Sequence, residues 1–346
     1  MAQLDKFLKA CADRKCSDLH VAVGMPVMVR FLGDIQPLTN QTATPEMVTT
    51  FIHEILSEEQ RKQLSEHWEL DSIYQLADGE RFRMNVCKEQ RGLAAVFRHI
   101  PVRIRTFDDL RLPPVLGKFC LATQGLIIVT GPCRSGKTTT LAAMLDWIND
   151  NRNEHIITIE DPIEYLHQNK KSIISQRSLG PHTRSFANAL RAALREDPDV
   201  ILIGEIRDLE SMSLALTAAE TGHVVLTTLH TSGAPATINR VINLFPPAEQ
   251  AQAQTTLAEC MLGIVSQQLI KNAAGNDMVA AFEVLVNTMA VGNIIRSGES
   301  FKLEGTMQVG TKEGMKLMDN SLEELLKAGL ITADARREFS LKEPKA

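Results

Sequence analysis

Apolar residues recur at helical spacing over residues 4–14, and the pattern then switches to the two-residue alternation of a strand in Asp18-Leu19-His20-Val21-Ala22-Val23. A second alternating stretch, Val27-Met28-Val29-Arg30-Phe31-Leu32, is closed by Gly33-Asp34 and resumes at Ile35, which predicts a hairpin. Thr44-Pro45-Glu46 opens a helix with a cap and a first-turn proline, and Ser57-Glu58-Glu59-Gln60 has the form of a capping box for the next. Two further strands are expected at 81–86 and 94–98. Residues 1–100 therefore read as a small α+β domain.

The stretch 101–115 is charged, holds three prolines and keeps no period, so it is expected to be a linker. From Leu116 onward the texture changes. Apolar runs at 126–130, 156–159, 200–203 and 224–229 alternate with helical patterns, as in a parallel sheet buried on both faces. Residues 116–346 are thus expected to form an α/β domain.

Composition narrows the class. The 346 residues suffice for two domains, and a net charge of -5 argues against a dedicated nucleic-acid binder. No apolar run approaches the roughly 18 residues of a membrane span, and the chain opens Met1-Ala2-Gln3-Leu4-Asp5-Lys6 without an apolar signal core. A cytoplasmic protein with only peripheral membrane contact is expected. The six cysteines form no C-x-x-C pair, so neither a zinc site nor a disulfide framework is expected. Cys133 stands apart because it lies inside a glycine-rich stretch.

Gly131-Pro132-Cys133-Arg134-Ser135-Gly136-Lys137-Thr138, followed by Thr139, lies between the run 125–130 and a helical stretch. Strand, G-x-x-x-x-G-K-T and helix in that order make a phosphate cradle, with backbone N–H groups and the helix dipole aimed at one point. Lys137 is expected to reach the β- and γ-phosphates of ATP and Thr138 to ligate Mg²⁺. Hydrolysis also needs carboxylates, and two strand ends supply them: Ile156-Ile157-Thr158-Ile159-Glu160-Asp161-Pro162-Ile163-Glu164 and Val200-Ile201-Leu202-Ile203-Gly204-Glu205. Gly204 stands where an Mg²⁺-binding Asp would be usual, so Glu205 is expected to act on Mg²⁺ through a coordinated water. Thr227, Thr228, His230 and Thr231 gather at one strand end like a γ-phosphate sensor, and His230 is the candidate.

Together GPCRSGKT, TIEDPIE, ILIGEIRD and TGHVVLTTLHT resemble, in order, the four nucleotide-site motifs of the type II and type IV secretion ATPases. Nearly the whole chain looks closest to the retraction ATPases of type IV pili. The resemblance implies a RecA-like P-loop ATPase domain behind an N-terminal PAS-like domain, assembled as a homohexamer. It implies further that Glu164 is the catalytic base, that Glu205 organises Mg²⁺, and that Arg83 and Arg98 reach the nucleotide's phosphates. On the residues alone, both arginines read as outward-facing strand charge. An inner-membrane pilus platform protein and, indirectly, pilin are the implied partners, with no nucleic acid.

Two departures stand out. Retraction ATPases usually carry Gly at the place of Arg134, and their C-terminal retraction motif survives here only in Ala290, Asn293, Ile295 and Arg296. The rival readings are an accessory nucleotide-binding subunit with weak turnover that assists another retraction motor, and a RecA-like DNA translocase. Cys133 is a candidate oxidant-sensitive thiol, set against its being a filler at a variable loop position.

Overall fold

A computed structural model describes residues 2–340 as two compact units. One reaches to Arg103 and takes in Glu164–Leu166; the other comprises Ile104–Ile163 and the chain from His167 on.

The first unit is a six-stranded antiparallel sheet in which β1 (Asp18–Ala22), β2 (Pro26–Phe31), β3 (Asp34–Thr42), β4 (Glu69–Gln75), β5 (Arg81–Glu89) and β6 (Gly92–Ile100) take the order β3-β2-β1-β6-β5-β4. Alternation decides its buried face. In β5, Phe82, Met84 and Val86 are buried while Arg81, Arg83 and Asn85 between them are not. Helices Asp5–Asp13, Pro45–Ile55 and Glu58–His67 supply residues to the same core, among them Leu8, Val48, Ile52 and Leu64. The expected caps form: Thr44 Oγ1 accepts from the Met47 N–H, and Ser57 and Gln60 exchange both bonds of a capping box. Strand β4 carries no clear periodic signal, because Glu-Leu-Asp-Ser-Ile-Tyr-Gln is a polar edge strand with a single fully buried residue, Leu70.

The second unit is built on β7 (Gly125–Thr130), β8 (His155–Glu160), β9 (Ile173–Ser178), β10 (Val200–Ile203), β11 (Val224–Thr228), β12 (Met261–Lys271) and β13 (Met278–Val286), ordered β13-β12-β7-β11-β10-β8-β9. Every neighbouring pair is parallel except β12 with β13. Each apolar run still splits by period two. Leu126 and Ile128 enter one core with Ile201, Ile203 and Val225, while Ile127 and Val129 enter the opposite one with Val200, Leu202 and Leu226. Both faces are covered, which is why these strands read as unbroken apolar runs.

Within the stretch 101–115 expected as a linker, Phe107–Leu110 form a short helix and a second helix begins at Val115. Thr106 and Asp109 form a capping box on the short helix Phe107–Leu110, and Leu112, Val115 and Leu116 are buried in the second unit's core. Local capping and a few well-spaced apolar residues outweigh the prolines. No helix among the described residues is long and apolar enough to cross a membrane.

Candidate nucleotide site

Strand β7 delivers the chain to the phosphate loop, and helix Lys137–Asn151 leaves it. The turn has steric requirements only glycine meets at two places. Gly131 has φ 141° and a Cβ there would lie 2.2 Å from the Gln267 carbonyl oxygen; Gly136 has φ 88° and its Cβ would lie 2.7 Å from Gln267 Nε2. Gln267 of β12 also accepts from Thr140 Oγ1 at 2.7 Å, tying the helix's first turn to the sheet. No motif marks Gln267 in the sequence; its role follows from the packing of β12 beside β7.

Arg134 adopts φ 67° between those glycines, a left-handed conformation that costs a non-glycine residue about 1–2 kcal/mol. It is exposed, as are Pro132 and Cys133, whereas Ser135 is buried with an Oγ that has no hydrogen-bond partner. An orphaned buried hydroxyl inside a glycine-defined cradle fits an anionic ligand with accepting oxygens.

Lys137 is buried and donates from Nζ to the carbonyls of Gly131 and Pro132, both at 2.9 Å. Its third neighbour is His230 Nδ1 at 3.3 Å. An ammonium can only donate, so Nδ1 is the acceptor and the ring carries its proton on Nε2. That nitrogen lies 3.0 Å from Glu205 Oε1, and Glu205 Oε2 accepts from Arg207 Nη2 at 2.8 Å. A continuous polar chain thus runs from the phosphate loop through His230 to the carboxylate at the end of β10. Cys133 Sγ is 3.9 Å from the same His230 Nδ1. Thr138 and Thr139 are half-buried at the start of the helix.

Burial raises the Glu205 pKa, but hydrogen bonds from Arg207 and His230 outweigh it and hold the carboxyl below its ordinary value of 4.5. Its contribution to stability is therefore present above that value and lost as pH falls through the folded one. Glu205→Gln is expected to flatten the acid limb of a plot of melting temperature against pH; an unchanged limb would contradict the assignment.

Neighbouring strand ends are stitched together. Thr228 Oγ1 donates to the Gly204 carbonyl at 2.6 Å, and Thr231 N–H donates to Thr130 Oγ1 at 3.1 Å. At Gly204 an added Cβ would come within 3.3 Å of Glu160 Cα and the Ile159 carbonyl, so the backbone there leaves little room for the side chain expected of an Mg²⁺-binding Asp. Glu160 is buried and accepts from Thr158 Oγ1 at 2.7 Å. Glu283 of β13 was also silent in the sequence. Buried, it accepts from the N–H groups of Ala234 and Met318, fixing the helix that begins four residues after His230. Burial pushes its carboxyl pKa up despite those bonds.

The second unit therefore brings Lys137, His230 and Glu205 together. Glu164, Arg83 and Arg98 belong to the first. There Glu164 is half-buried and its carbonyl accepts from Arg81 Nη1 at 2.8 Å. Arg98 pairs through Nε with Asp18 Oδ1 at 3.0 Å; Asp18 is fully buried and also accepts from Ser17 Oγ at 2.8 Å. Arg83 stands directly across the β5–β6 ladder from Arg98, two like charges on one row.

Arg98→Ala should therefore cost about 1–3 kcal/mol of stability, because buried Asp18 loses one charged hydrogen-bond donor while Ser17 and Arg30, whose Nε lies 3.9 Å from Oδ2, remain beside it. Arg83→Ala should cost no more than about 0.5 kcal/mol. Thermal melts that rank the two variants the other way would contradict this reading of the row.

The family described as type II/IV secretion system protein matches residues 111–319. The type IV pilus retraction ATPase PilT of Pseudomonas aeruginosa is 42% identical over 335 residues, 97% of each chain. The type IV pilus ATPase PilU of the same organism is 37% identical over 330 residues, covering 95% of this chain and 86% of that one. A crystal structure of the pilus retraction motor PilT with bound ADP superposes with a TM-score of 0.87 at 41% identity, over 99% of this chain and 98% of that one. The two-unit architecture, the phosphate loop and these likenesses agree: the chain belongs to the type II/IV secretion ATPases, on the branch of the type IV pilus retraction ATPases.

Proposed function

We propose that this protein is a hexameric motor that hydrolyses ATP to power retraction of type IV pili. The observation that carries the proposal is the Lys137–His230–Glu205 chain on the phosphate loop, in a protein similar to PilT over nearly its full length. The chain links the group that would neutralise the β- and γ-phosphates to the group that would organise Mg²⁺, so arrival of a γ-phosphate at Lys137 would be felt at Glu205 through one imidazole.

Thr138 and Glu205 are the residues that would hold Mg²⁺. Among the described residues no group of three or more His, Cys, Asp or Glu side chains could hold a metal by itself. Thr138 as the direct ligand, with Glu205 acting through a coordinated water, would suit an ion that keeps several waters. Bound there, Mg²⁺ would neutralise charge on the transferring phosphate. His230 would sense the γ-phosphate, and Glu164 would take the proton of the attacking water as general base.

In this reading Arg83 and Arg98 meet the phosphates, which gives a physical reason for two arginines face to face on one row. The inner-membrane platform protein of the pilus machine is the docking partner, at the cytoplasmic face of the membrane, and pilin is reached indirectly through it.

A phosphate-release assay across a dilution series tests the proposal. Specific activity should rise with protein concentration as subunits assemble, because a site completed by a neighbour exists only in the oligomer. Arg83→Ala should lower turnover by about 10³-fold if that arginine stabilises transition-state charge. The rival, an accessory subunit resembling PilU, predicts turnover close to background at every concentration in the wild type.

A further inference from the structure

Among the described residues six non-glycine residues carry positive φ, and local geometry accounts for three of them directly. Trp68 and Arg111 close helices, and Leu32 sits in the β2–β3 turn. Arg134 differs: it lies inside the phosphate loop, in a turn that already uses glycine at 131 and 136. A strained position that keeps a long cationic side chain beside a ligand site is a pointer to function at that site.

The electrostatic setting agrees. The loop holds Lys137 and opens the N-terminus of the 15-residue helix Lys137–Asn151, whose dipole favours anions. The facing carboxylate, Glu205, is engaged by His230 and Arg207. Ser135, immediately after Arg134, keeps a buried hydroxyl without a partner in the chain. An exposed guanidinium added here deepens the attraction for a polyanion, and its planar fork suits phosphate oxygens.

We infer that Arg134 is a nucleotide-affinity determinant. Its guanidinium strengthens the hold on the phosphates of nucleoside di- and triphosphates and so slows release of the diphosphate product. The inference rests on the phosphate-loop reading above and adds to it a side-chain role distinct from that of the loop's backbone.

The test is the equilibrium affinity of fluorescently labelled ADP for full-length wild type, Arg134→Gly and Arg134→Lys, measured between about 50 and 300 mM salt, where screening of an exposed charge changes strongly. Arg134→Gly should bind about tenfold more weakly at low salt, with the gap closing as salt rises, because an exposed charge is being removed. Arg134→Lys should recover most of the loss at low salt. Melting temperatures without nucleotide should be equal to or higher than wild type for Arg134→Gly, since glycine relieves the left-handed strain.

Equal affinity of Arg134→Gly and wild type across the salt range would overturn the inference. So would a loss independent of salt that lysine fails to rescue, which would assign the effect to loop geometry. A wild type that does not bind ADP at all would instead overturn the phosphate-loop reading, and this inference with it.

Discussion

Lys137→Ala is expected to lower ATP turnover by at least about a hundredfold, in line with removal of a single preorganised charge-stabilising donor at a reacting oxyanion. Nucleotide binding should weaken with it. The lysine is buried and held by the carbonyls of Gly131 and Pro132, so its charge is positioned before any ligand arrives. No side chain in the loop can substitute, because Arg134 is exposed and lies on the other side of Gly136 in sequence. Phosphate release and labelled-nucleotide titration measure both effects, and wild-type hydrolysis by Lys137→Ala would remove the phosphate-loop assignment.

Glu164→Gln should behave differently. Turnover is expected to fall by about 10²–10⁴-fold while ATP still binds, since the amide keeps the shape of the carboxylate but cannot accept a proton from water. The substitution leaves the hydrogen bond from Arg81 untouched, because Arg81 bonds the main-chain carbonyl of Glu164 and not its side chain. A melting temperature near wild type is therefore expected. If Glu205→Gln binds and fails to turn over while Glu164→Gln hydrolyses normally, the two carboxylates have exchanged roles.

Much of the nucleotide unit was legible because its physics is local. Strands β7, β8, β10 and β11 announce themselves as apolar runs covered on both faces, and the glycines of the loop are demanded by positive φ and by close approach of Gln267. Strands β9, β12 and β13 carry no such signal. Strand β9 is half-exposed with Ser175, Gln176 and Arg177 in it, and β12 carries Ser266 and Gln267, buried and polar, in its centre. Their strand character comes from neighbours in the sheet and not from their own pattern.

The site was legible to the same degree and for the same reason. Lys137, Glu205 and His230 carry motif signals, whereas Gln267 and Glu283 act by tying loops and helix starts to distant strands, which spacing along the chain does not record. Arg98 shows the limit of transfer by resemblance. Its pairing with buried Asp18 makes it a structural residue of the first unit whatever else it does, so loss of activity in Arg98→Ala cannot by itself be assigned to chemistry, and Arg83 is the cleaner probe.

The most direct test of the motor assignment is the shortening rate of fluorescently labelled pili on living cells that lack this protein and are complemented with wild type or Lys137→Ala. Wild type should restore retraction and Lys137→Ala should not, with both proteins present at equal levels. Pili that retract at normal rate and force in the deletion strain, or that are restored equally by Lys137→Ala, would contradict the claim that ATP hydrolysis by this chain drives retraction.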